Sequence, residues 1–419
     1  MAPTKQLVLE AIKAVDSGRI ASKFNAISRI GSTESGLNRL AYSESNKEAL
    51  DLVTSWMREA DLEVGIDPIC NVFGTTRGAG KGKSVLTGSH IDSVIDGGRF
   101  DGTIGVVAGL ECMRVISELG LRTKSQIELV VFAGEESSRF AFGTIGSKAI
   151  VGDLRIEQLY RLKDHDGLVL ADVVRRFGGD PDRIADCRRK ASEIGSMIEL
   201  HIEQGPVLER IGKSIGVVND IVSIDRLVLK IQGETIHSGG GLASMRRDAL
   251  AGAAEVVLFV ERMNKRYPNI RATAGNIQAS PGTLNAVPGS ATVGLDLRVL
   301  GDRRKYLAFL RLGVRRICQK RKLTFEFANV FHQDAQRMSR RIIGVISKIA
   351  REMKLDPYRI SSFGGHDSLV IAKVAPVGMI FVPSIRGISH NWNESTDMKH
   401  VRLGTQLLLA SLLDLAGLS

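Results

Sequence analysis

The chain has 419 residues, of which 43% are hydrophobic and 25% charged, and it carries a formal net charge of +11. This composition is typical of a soluble globular protein, and the length allows about two or three domains. The sequence contains no run of about 18 apolar residues, so we expect no membrane span.

The N-terminal residues and the cysteines indicate the compartment. Residues 1–20 lack the short apolar core and the small-residue cleavage site of a secretory signal. The four cysteines, Cys70, Cys112, Cys187 and Cys318, lie far apart and form no C-x-x-C pair. This spacing argues against a zinc ribbon or a disulfide framework and favours a reducing compartment. We therefore expect a cytoplasmic protein.

The positive charge does not by itself predict a nucleic-acid-binding protein. Lysine and arginine are scattered over several segments. In one of these, residues 302–322, apolar residues recur at spacings of three and four, which indicates a core-facing helix with a basic outer face. Only five tyrosines and two tryptophans are available for stacking on bases. We expect no nucleic-acid partner, no membrane partner and a preference for a small anionic substrate.

The first half of the chain alternates predicted helices with short apolar strands. Helices are predicted over 46–62 and over 105–120, where Gly120 ends the second helix. Apolar runs that predict strands cover residues 84–90, 127–136 and 197–205. Strands that alternate with helices predict an α/β layer with a largely parallel sheet.

The pattern changes from about residue 213 onward. The predicted order is strand, helix, strand, strand, helix, strand, which is typical of a ferredoxin-like split unit. These elements are predicted at residues 222–233, 244–267, 272–280, 291–299, 302–322 and 323–330. A helix at 339–354 and a buried strand at 377–384 then resume the α/β pattern.

This order predicts two domains, one of which interrupts the other. The α/β domain is predicted to consist of residues 1–212 and 331–419. The small α+β domain is predicted to consist of residues 213–330. The fold class we expect is therefore α/β, with a mixed and largely parallel sheet and an inserted ferredoxin-like domain.

Polar side chains gather where the predicted strands of the α/β domain end. They are His90, Asp92, Asp101, Glu135, Glu136, His201 and His390. Because ligands of open α/β sheets collect beyond the carboxyl ends of the strands, we expect these side chains at one rim. Imidazoles and carboxylates together suit zinc, manganese or cobalt, and a carboxylate can bridge two ions.

Each of these residues has a simpler interpretation when it is considered alone. A single histidine is more often a hydrogen-bonded structural residue than a metal ligand. Asp101 lies between glycine-rich segments and could form an Asx turn. Glu136 could pair with Arg139. Only the convergence of five separate segments favours a metal site.

The adjacent pair Glu135 and Glu136, in the segment FAGEESSRF, poses a geometric problem. An extended strand sends neighbouring side chains in opposite directions. Both glutamates reach one site only if the chain bends after Ala133 and Gly134, and glycine permits such a bend. We therefore expect an unusual backbone geometry at this point.

The segment GAGKGKS, residues 78–84, resembles a phosphate-binding loop but departs from it. That loop requires a glycine where this chain has Arg77, and it requires a following helix where a strand is predicted. We interpret the segment as a surface hairpin turn, and a nucleotide-dependent enzyme remains a weak alternative. The chain has no G-x-S-x-G or H-E-x-x-H motif, which disfavours a serine hydrolase and a single-zinc protease.

Taken together, the motifs resemble those of the M20 family of dinuclear metallohydrolases. More narrowly, they resemble the carbamoylase branch, which includes N-carbamoyl-L-amino-acid hydrolase, β-ureidopropionase and allantoate amidohydrolase. The resemblance covers nearly the whole chain and is carried by GSHIDSVIDGGRFDGTIGVVAGLE, FAGEESSRF, LHIEQGPVLE, NAVPGSATVGLDLR, GGHDS and MIFVPSIRGISHNWNE. It implies an interrupted catalytic domain and an inserted lid through which the chain forms a homodimer.

The resemblance also implies a role for each polar residue and two divalent ions per subunit, which could be zinc, manganese or cobalt. The implied metal ligands are Asp101 as a bridge, His90 and His201 on one ion, and Glu136 and His390 on the other. Glu135 is the implied general base, and Asp92 is the implied partner of His90.

The substrate contacts that the resemblance implies are Gln204, His237, Asn285, Arg298 and Gly365. His201 and Gln204 suggest the carbamoylase branch, because related peptidases usually have a carboxylate in place of His201. The resemblance further implies that His237 reaches the partner subunit's site and stabilises an oxyanion. Arg298 would bind the substrate carboxylate with its planar guanidinium, which a lysine could not match.

One segment departs from the family pattern. After the lid histidine the family usually has Ala-Gly-Thr-Thr-Pro-Met, whereas this chain has residues 238–243, Ser-Gly-Gly-Gly-Leu-Ala. The spacing to Arg246 and Asp248 is kept, so a similar backbone path is expected. Smaller side chains would widen the substrate pocket.

We therefore expect a homodimeric amidohydrolase that converts an N-carbamoyl amino acid or related ureido acid to amino acid, ammonia and carbon dioxide. Three alternatives remain open besides the nucleotide-dependent enzyme. The chain could hydrolyse an N-acyl amino acid or an amino-acid conjugate, it could be an allantoate amidohydrolase, or it could be a noncatalytic binding protein on the same scaffold.

Overall fold

A computed structural model describes residues 3–77 and 82–418 of the chain. Most of the hairpin turn predicted for residues 78–84 lies outside these ranges, whereas the strand predicted to follow it is present from Gly82. None of the helices in these two ranges combines the length and the apolar character that a membrane crossing requires.

The chain divides into two compact units. The larger unit consists of Met1–Asn219, Met338–Ile360 and His366–Ser419. The smaller unit consists of Asp220–Arg337 and Ser361–Gly365.

The α-helices of the described residues follow one another along both units. In chain order they are α1 Pro3–Ala14, α2 Ser17–Ile27, α3 Glu44–Glu59, α4 Thr103–Glu118, α5 Ile145–Val151, α6 Ile156–Arg161, α7 Leu170–Phe177, α8 Val207–Arg210, α9 Ala249–Arg266, α10 Arg303–Arg321, α11 Arg340–Glu352, α12 Asp367–Ile371 and α13 Met398–Ala416. Of these, α9 and α10 belong to the smaller unit.

The strands alternate with these helices. In chain order they are β1 Glu63–Ile66, β2 Val72–Thr75, β3 Gly82–His90, β4 Ser125–Phe132, β5 Ile194–Ile202, β6 Gly216–Ile221, β7 Ser223–Gln232, β8 Ile236–His237, β9 Ile270–Ser280, β10 Ala286–Val287, β11 Ser290–Val299, β12 Thr324–Gln333, β13 Gln336–Arg337, β14 Tyr358–Ser362 and β15 Val377–Val382.

The larger unit is built on a mixed sheet with a parallel centre. Its strand order is β1-β2-β4-β3-β5-β15-β6, and β14 also pairs with β6. The pairs β3–β4, β3–β5 and β5–β15 are parallel, while β1–β2, β2–β4 and β6–β15 are antiparallel. The central strands are almost wholly buried, as expected for apolar strands covered by helices on both faces. The prediction of an α/β fold with a largely parallel sheet is confirmed.

The parallel register brings several strand ends to one edge of this sheet. His90, the last residue of β3, pairs with Phe132, the last residue of β4. In β5 and β15, Ile202 pairs with Val382. The segments that leave these four strands therefore begin side by side.

The smaller unit has the predicted order of strands and helices. Its sheet order is β12-β7-β11-β9, all antiparallel, and α9 and α10 pack on its apolar core. Helix α9 begins at Ala249 rather than at the predicted residue 244. The reason is a cap: the Asp248 side chain accepts the Ala251 N–H, and residues 243–245 form a short 3-10 turn before it.

Candidate active site

The polar residues predicted to meet at the rim of the larger sheet do meet there. They lie at or after the ends of strands β3, β4, β5 and β15, and these ends lie together. The side chains of His90, Asp101 and His201 are almost fully buried, whereas that of His390 is about half exposed.

Asp101 lies at the centre of this cluster and links two groups of side chains. Its Oδ1 lies 3.1 Å from His201 Nε2 and 3.9 Å from His90 Nε2. Its Oδ2 lies 3.0 Å from His390 Nε2, and that nitrogen lies 3.1 Å from Glu136 Oε1. Each group could hold one cation, and the groups share the Asp101 carboxylate.

The orientation of the imidazoles fits metal binding. His90 Nδ1 is 2.9 Å from the backbone oxygen of Asp92, and His201 Nδ1 is 2.9 Å from that of Ile202. A backbone carbonyl can only accept, so it places a proton on Nδ1 and leaves the Nε2 lone pair facing Asp101. This is the tautomer that a divalent cation requires.

A third group, Glu199, His201 and His366, also brings possible ligand atoms together. However, both oxygens of Glu199 are already occupied. One accepts from Ser89 Oγ at 2.7 Å, and the other accepts from Ser368 Oγ at 2.6 Å. We therefore interpret Glu199 as a support beneath the site rather than as a ligand.

In the chain without a cation, protons on the histidines supply the positive charge that a cation would bring. Burial alone would raise the pKa of Asp101, but hydrogen bonds from His201 and His390 outweigh burial and hold it well below its ordinary value. Burial likewise opposes the charged histidines, but Asp101 raises the pKa of His201 to about 9 and helps to raise that of His390 to about 11. The cluster is therefore built to surround positive charge.

The backbone bend expected at Gly134 is present, because this residue has a φ of +61°. The only cis peptide bond among the described residues is Ser280–Pro281, so the bend requires no cis bond. The N–H groups of Glu135 and Glu136 donate to the two oxygens of the Asp92 carboxylate, at 3.2 and 2.9 Å. Asp92 thereby fixes the backbone of both glutamates.

The two glutamates differ in their surroundings. Glu136 contacts His390, whereas Glu135 Oε2 lies 3.9 Å from His90 Nε2. Burial, reinforced by the neighbouring carboxylates, raises the pKa of Glu135 well above its usual value. The alternative ion pair of Glu136 with Arg139 is not observed, since Arg139 Nε donates to Asp164 Oδ2 at 3.1 Å.

Glu394 is a residue of the site that the sequence interpretation missed. Its Oε1 accepts from the N–H groups of Phe100 and Asp101 at 2.7 and 3.0 Å. Its Oε2 accepts from Ser389 Oγ at 2.8 Å, next to His390. Glu394 thus ties the loop of the central carboxylate to the loop of His390. The motif that contains it was recognised, but a contact across 293 positions leaves no local pattern.

A second missed residue is Arg39, whose side chain is completely buried. Its guanidinium donates to the backbone oxygen of Ile91 at 2.6 Å and to Thr103 Oγ1 at 3.1 Å. Ile91 lies between His90 and Asp92, and Thr103 begins α4 two residues after Asp101. Arg39 therefore holds together two of the three segments that supply the group of His90, Asp101 and His201, namely those of His90 and Asp101.

The predicted substrate contacts fall in both units. Gln204 lies in the larger unit, where its Nε2 donates to Asp101 Oδ2 at 2.8 Å. In the smaller unit, His237 and Asn285 lie on paired segments, and the Ser238 N–H donates to the Asn285 oxygen at 2.9 Å. Arg298 and the segment that contains Gly365 lie in the same unit and are joined by a hydrogen bond.

Arg298 is held in place at its end of β11. Its Nε donates to Asp296 Oδ1 at 2.9 Å, and its Nη1 donates to the Phe363 oxygen at 2.7 Å. Phe363 lies two residues before Gly365. These two hydrogen bonds use two of the five N–H donors of the guanidinium, so other N–H groups can bind another partner.

Comparison with known proteins agrees with this geometry. Residues 86–414 match the family described as peptidase family M20/M25/M40. An N-carbamoyl-L-amino-acid amidohydrolase from Pseudomonas sp. (strain NS671) is 35% identical over 95% of this chain and 98% of its own length. A ureidoglycolate hydrolase from Arabidopsis thaliana is 29% identical over 96% of this chain and 87% of its own.

A solved structure is similar over nearly the same extent. The amidase of the hydantoinase/carbamoylase family from Burkholderia multivorans has a TM-score of 0.85 at 34% identity, and the match covers 96% of this chain and 98% of that one. The chain belongs to the M20/M25/M40 peptidase family. It is a hydrolase of carbon–nitrogen bonds other than peptide bonds, and the resemblance to the carbamoylase branch is confirmed.

Proposed function

We propose that the chain is a dinuclear, metal-dependent amidohydrolase that cleaves N-carbamoyl-L-amino acids or closely related ureido acids. The products are the amino acid, ammonia and carbon dioxide. The observation that carries this proposal is the pair of ligand groups that share Asp101, next to a buried glutamate with a raised pKa. The amidohydrolase names of the relatives support the same reaction type.

The residues that would hold the cations are those of the two groups. His90 and His201 would hold one ion, Glu136 and His390 would hold the other, and the Asp101 carboxylate would lie between them. Divalent cations held there would lower the pKa of a water molecule and polarise the carbonyl group of the substrate. Zinc, manganese and cobalt all suit this mixture of nitrogen and oxygen ligands.

Glu135 is the residue that moves protons in this proposal. Its Oε2 lies next to the cluster, 3.9 Å from His90 Nε2, which is beyond hydrogen-bond distance. A carboxylate with a raised pKa accepts a proton from the attacking water and returns it to the leaving nitrogen. Asp92 keeps Glu135 in position through the backbone rather than through the side chain.

We infer that the substrate contacts of the smaller unit do not all come from one chain. Strands β8 and β10 form a separate two-stranded sheet, and they adjoin in sequence the end of the β7–β11 ladder at Gln232 and Ser290, so His237 comes after that end of the ladder. Arg298 lies eight positions further along β11, which is about 26 Å at ~3.3 Å per residue. This span is much longer than an N-carbamoyl amino acid.

We infer that each site takes His237 and Arg298 from different subunits of a homodimer. His237 and Asn285 would come from the partner, where the imidazole stabilises the developing oxyanion. Arg298 would bind the carboxylate of the substrate within its own subunit.

A second candidate is hydrolysis of a ureidoglycolate or allantoate, which the ureidoglycolate hydrolase relative favours. An N-acyl amino acid is a third, which the small side chains of residues 238–243 favour because they would widen the pocket. These substrates differ in their products, since an N-acyl amino acid releases no ammonia.

The test measures ammonia and amino acid together. Purified protein is supplied with zinc, manganese or cobalt and then with N-carbamoyl-L-amino acids, allantoate, ureidoglycolate or N-acetyl-L-amino acids. The proposal expects equal amounts of ammonia and amino acid from the carbamoyl substrates, and a rate about 10²–10⁴-fold lower from a Glu135→Gln variant. Turnover of acetyl substrates alone would reject the carbamoyl assignment.

A further inference from the structure

The three most exposed large apolar side chains among the described residues lie in two segments that a backbone hydrogen bond joins. Leu284 is 103% exposed, Leu242 70% and Met245 66%. The next most exposed are Val330 and Trp392, each at 61%. Single exposed apolar side chains are common on protein surfaces, but a group of the most exposed ones calls for a partner.

These three side chains flank the two proposed substrate contacts that the partner subunit supplies. Leu284 immediately precedes Asn285, while Leu242 and Met245 lie in the segment that follows His237. The hydrogen bond from the Ser238 N–H to the Asn285 oxygen joins the two segments. We name Leu242, Met245 and Leu284 the apolar tip.

The segment that carries the tip is held in a defined conformation. The Met245 N–H donates to the Leu242 oxygen at 2.9 Å, and Arg246 Nη2 donates to the Ser238 oxygen at 2.5 Å. The side chains therefore project from an anchored backbone, although their burial within the subunit is slight. Water exposure of three such side chains is unfavourable until an apolar group covers them.

The size of the tip decides what covers it. A stable protein interface buries about 800 Å² on each partner, which is far more than three side chains provide. A substrate site, in contrast, is lined by a few apolar side chains beside a small number of placed polar groups. An imidazole and an amide beside three apolar side chains match the second description.

We propose that the apolar tip binds the side chain of the substrate, so that the preferred substrates are N-carbamoyl-L-amino acids with large apolar side chains. This inference rests on the proposed function and names its substrate class. Allantoate and ureidoglycolate carry a second ureido group or a hydroxyl at this point of the molecule, and neither would cover the tip. The apolar tip thus distinguishes among the reactions that the relatives' names leave open.

The test compares two substrates that differ only in the side chain, N-carbamoyl-L-leucine and N-carbamoylglycine. Burial of one methylene is worth about fourfold in binding, so the wild-type ratio of kcat/KM should exceed about tenfold in favour of leucine. Leu242→Gln, Met245→Gln and Leu284→Gln should each lower this ratio about threefold or more. Val330→Gln is the matched control, because Val330 is a similarly exposed residue of β12 in the same unit.

Each outcome decides for or against the tip. A wild-type ratio near one overturns the proposal. An unchanged ratio in the three variants, with dissociation of the dimer in sedimentation, shows that the tip contacts protein instead. If only N-acetyl substrates are hydrolysed, the carbamoyl assignment fails separately. The same ratio, measured with N-acetyl-L-leucine and N-acetylglycine, then supports the tip if it falls in the variants and overturns it if it does not.

Discussion

The two units of this chain hold their functional groups in different ways. In the larger unit, the ligand groups around Asp101 are mostly buried and already bonded to one another. In the smaller unit, His237 is exposed, and the guanidinium of Arg298 is partly free for another group. Folding alone therefore organises the first set, whereas in the proposed function a ligand or a partner would complete the second set.

The net charge also differs between the two units. In the smaller unit, lysine and arginine outnumber the acidic residues by nine, out of a net charge of +11 for the whole chain. Helix α10 contributes most of this excess and contains no acidic residue. The excess of positive over negative charge is therefore concentrated in one unit, although lysine and arginine occur in both. In the proposed function, the larger unit accordingly carries out the chemistry and the smaller unit recognises the anionic substrate.

Neutral replacement of the two adjacent glutamates should have the largest effects. Glu135→Gln keeps the shape and the ligands but removes the proton acceptor, so kcat should fall about 10²–10⁴-fold while both metals remain bound. Glu136→Gln should instead lower the metal content, with activity falling as a consequence. Elemental analysis beside kinetics measures both effects.

The opposite pattern would reverse the two assignments. A Glu135→Gln protein without metal and a Glu136→Gln protein with metal but no turnover would make Glu135 the ligand. Two active variants would show that the pair is structural.

Arg298→Lys should have the next largest effect and should act on recognition. Loss of a bidentate, charge-assisted hydrogen bond would cost about 1.5–3 kcal/mol in kcat/KM. The loss should fall on substrates with a free carboxylate and leave the metal content unchanged. An equal loss with esterified substrates would show that Arg298 does not bind the carboxylate.

Mixed dimers sharpen this part of the comparison. A His237→Asn protein mixed with a Glu135→Gln protein should regain activity, because one site of the heterodimer then contains both intact residues from different chains. The matched mixture of Arg298→Ala with Glu135→Gln should not regain activity. Recovery in both mixtures, or in neither, would contradict the assignment of the two residues to different subunits.

Glu394 allows a smaller and more local test of the larger unit. Loss of a group that positions a metal ligand typically lowers metal affinity about 10–100-fold, and we expect this of Glu394→Ala. Gly98→Ala should act similarly without touching the carboxylate, since an added Cβ would lie 2.1 Å from Glu394 Cδ. Gly344→Ala, whose Cβ would meet nothing within 4 Å, is the control. Normal affinity in both test variants would remove Glu394 from the site.

Most of this architecture could be predicted from the sequence, because helices and strands follow from the pattern of residues close together in the chain. The strands and the β-α-β-β-α-β block follow from apolar spacing, and the rim follows from the parallel order. The roles of Glu394 and Arg39 could not be predicted, because their hydrogen bonds join segments far apart in sequence. The start of α9 was placed too early because Asp248 caps the helix after a run of residues that also favour a helix.

The pH dependence of metal binding tests the charge of the ligand groups without any substitution. Because Asp101 raises the pKa of His201 to about 9 and contributes to the pKa of about 11 at His390, both imidazoles carry protons at pH 7 in the absence of a cation. A cation must displace these protons, so its affinity should rise with pH by about tenfold per unit for each proton released. Calorimetric titration in two buffers of different ionisation enthalpy measures this release. An affinity independent of pH between 6 and about 8 would contradict the raised pKa values.

The central claim is that the larger unit holds two cations that share Asp101 and that turnover requires both. The most direct measurement removes all metal with a chelator and then adds cobalt or manganese in small portions, following bound metal and ammonia release from an N-carbamoyl-L-amino acid. The account predicts an inactive apoprotein, saturation at about two ions per chain, and loss of the second binding event in His390→Ala. Full turnover by protein that is demonstrably free of metal would contradict it.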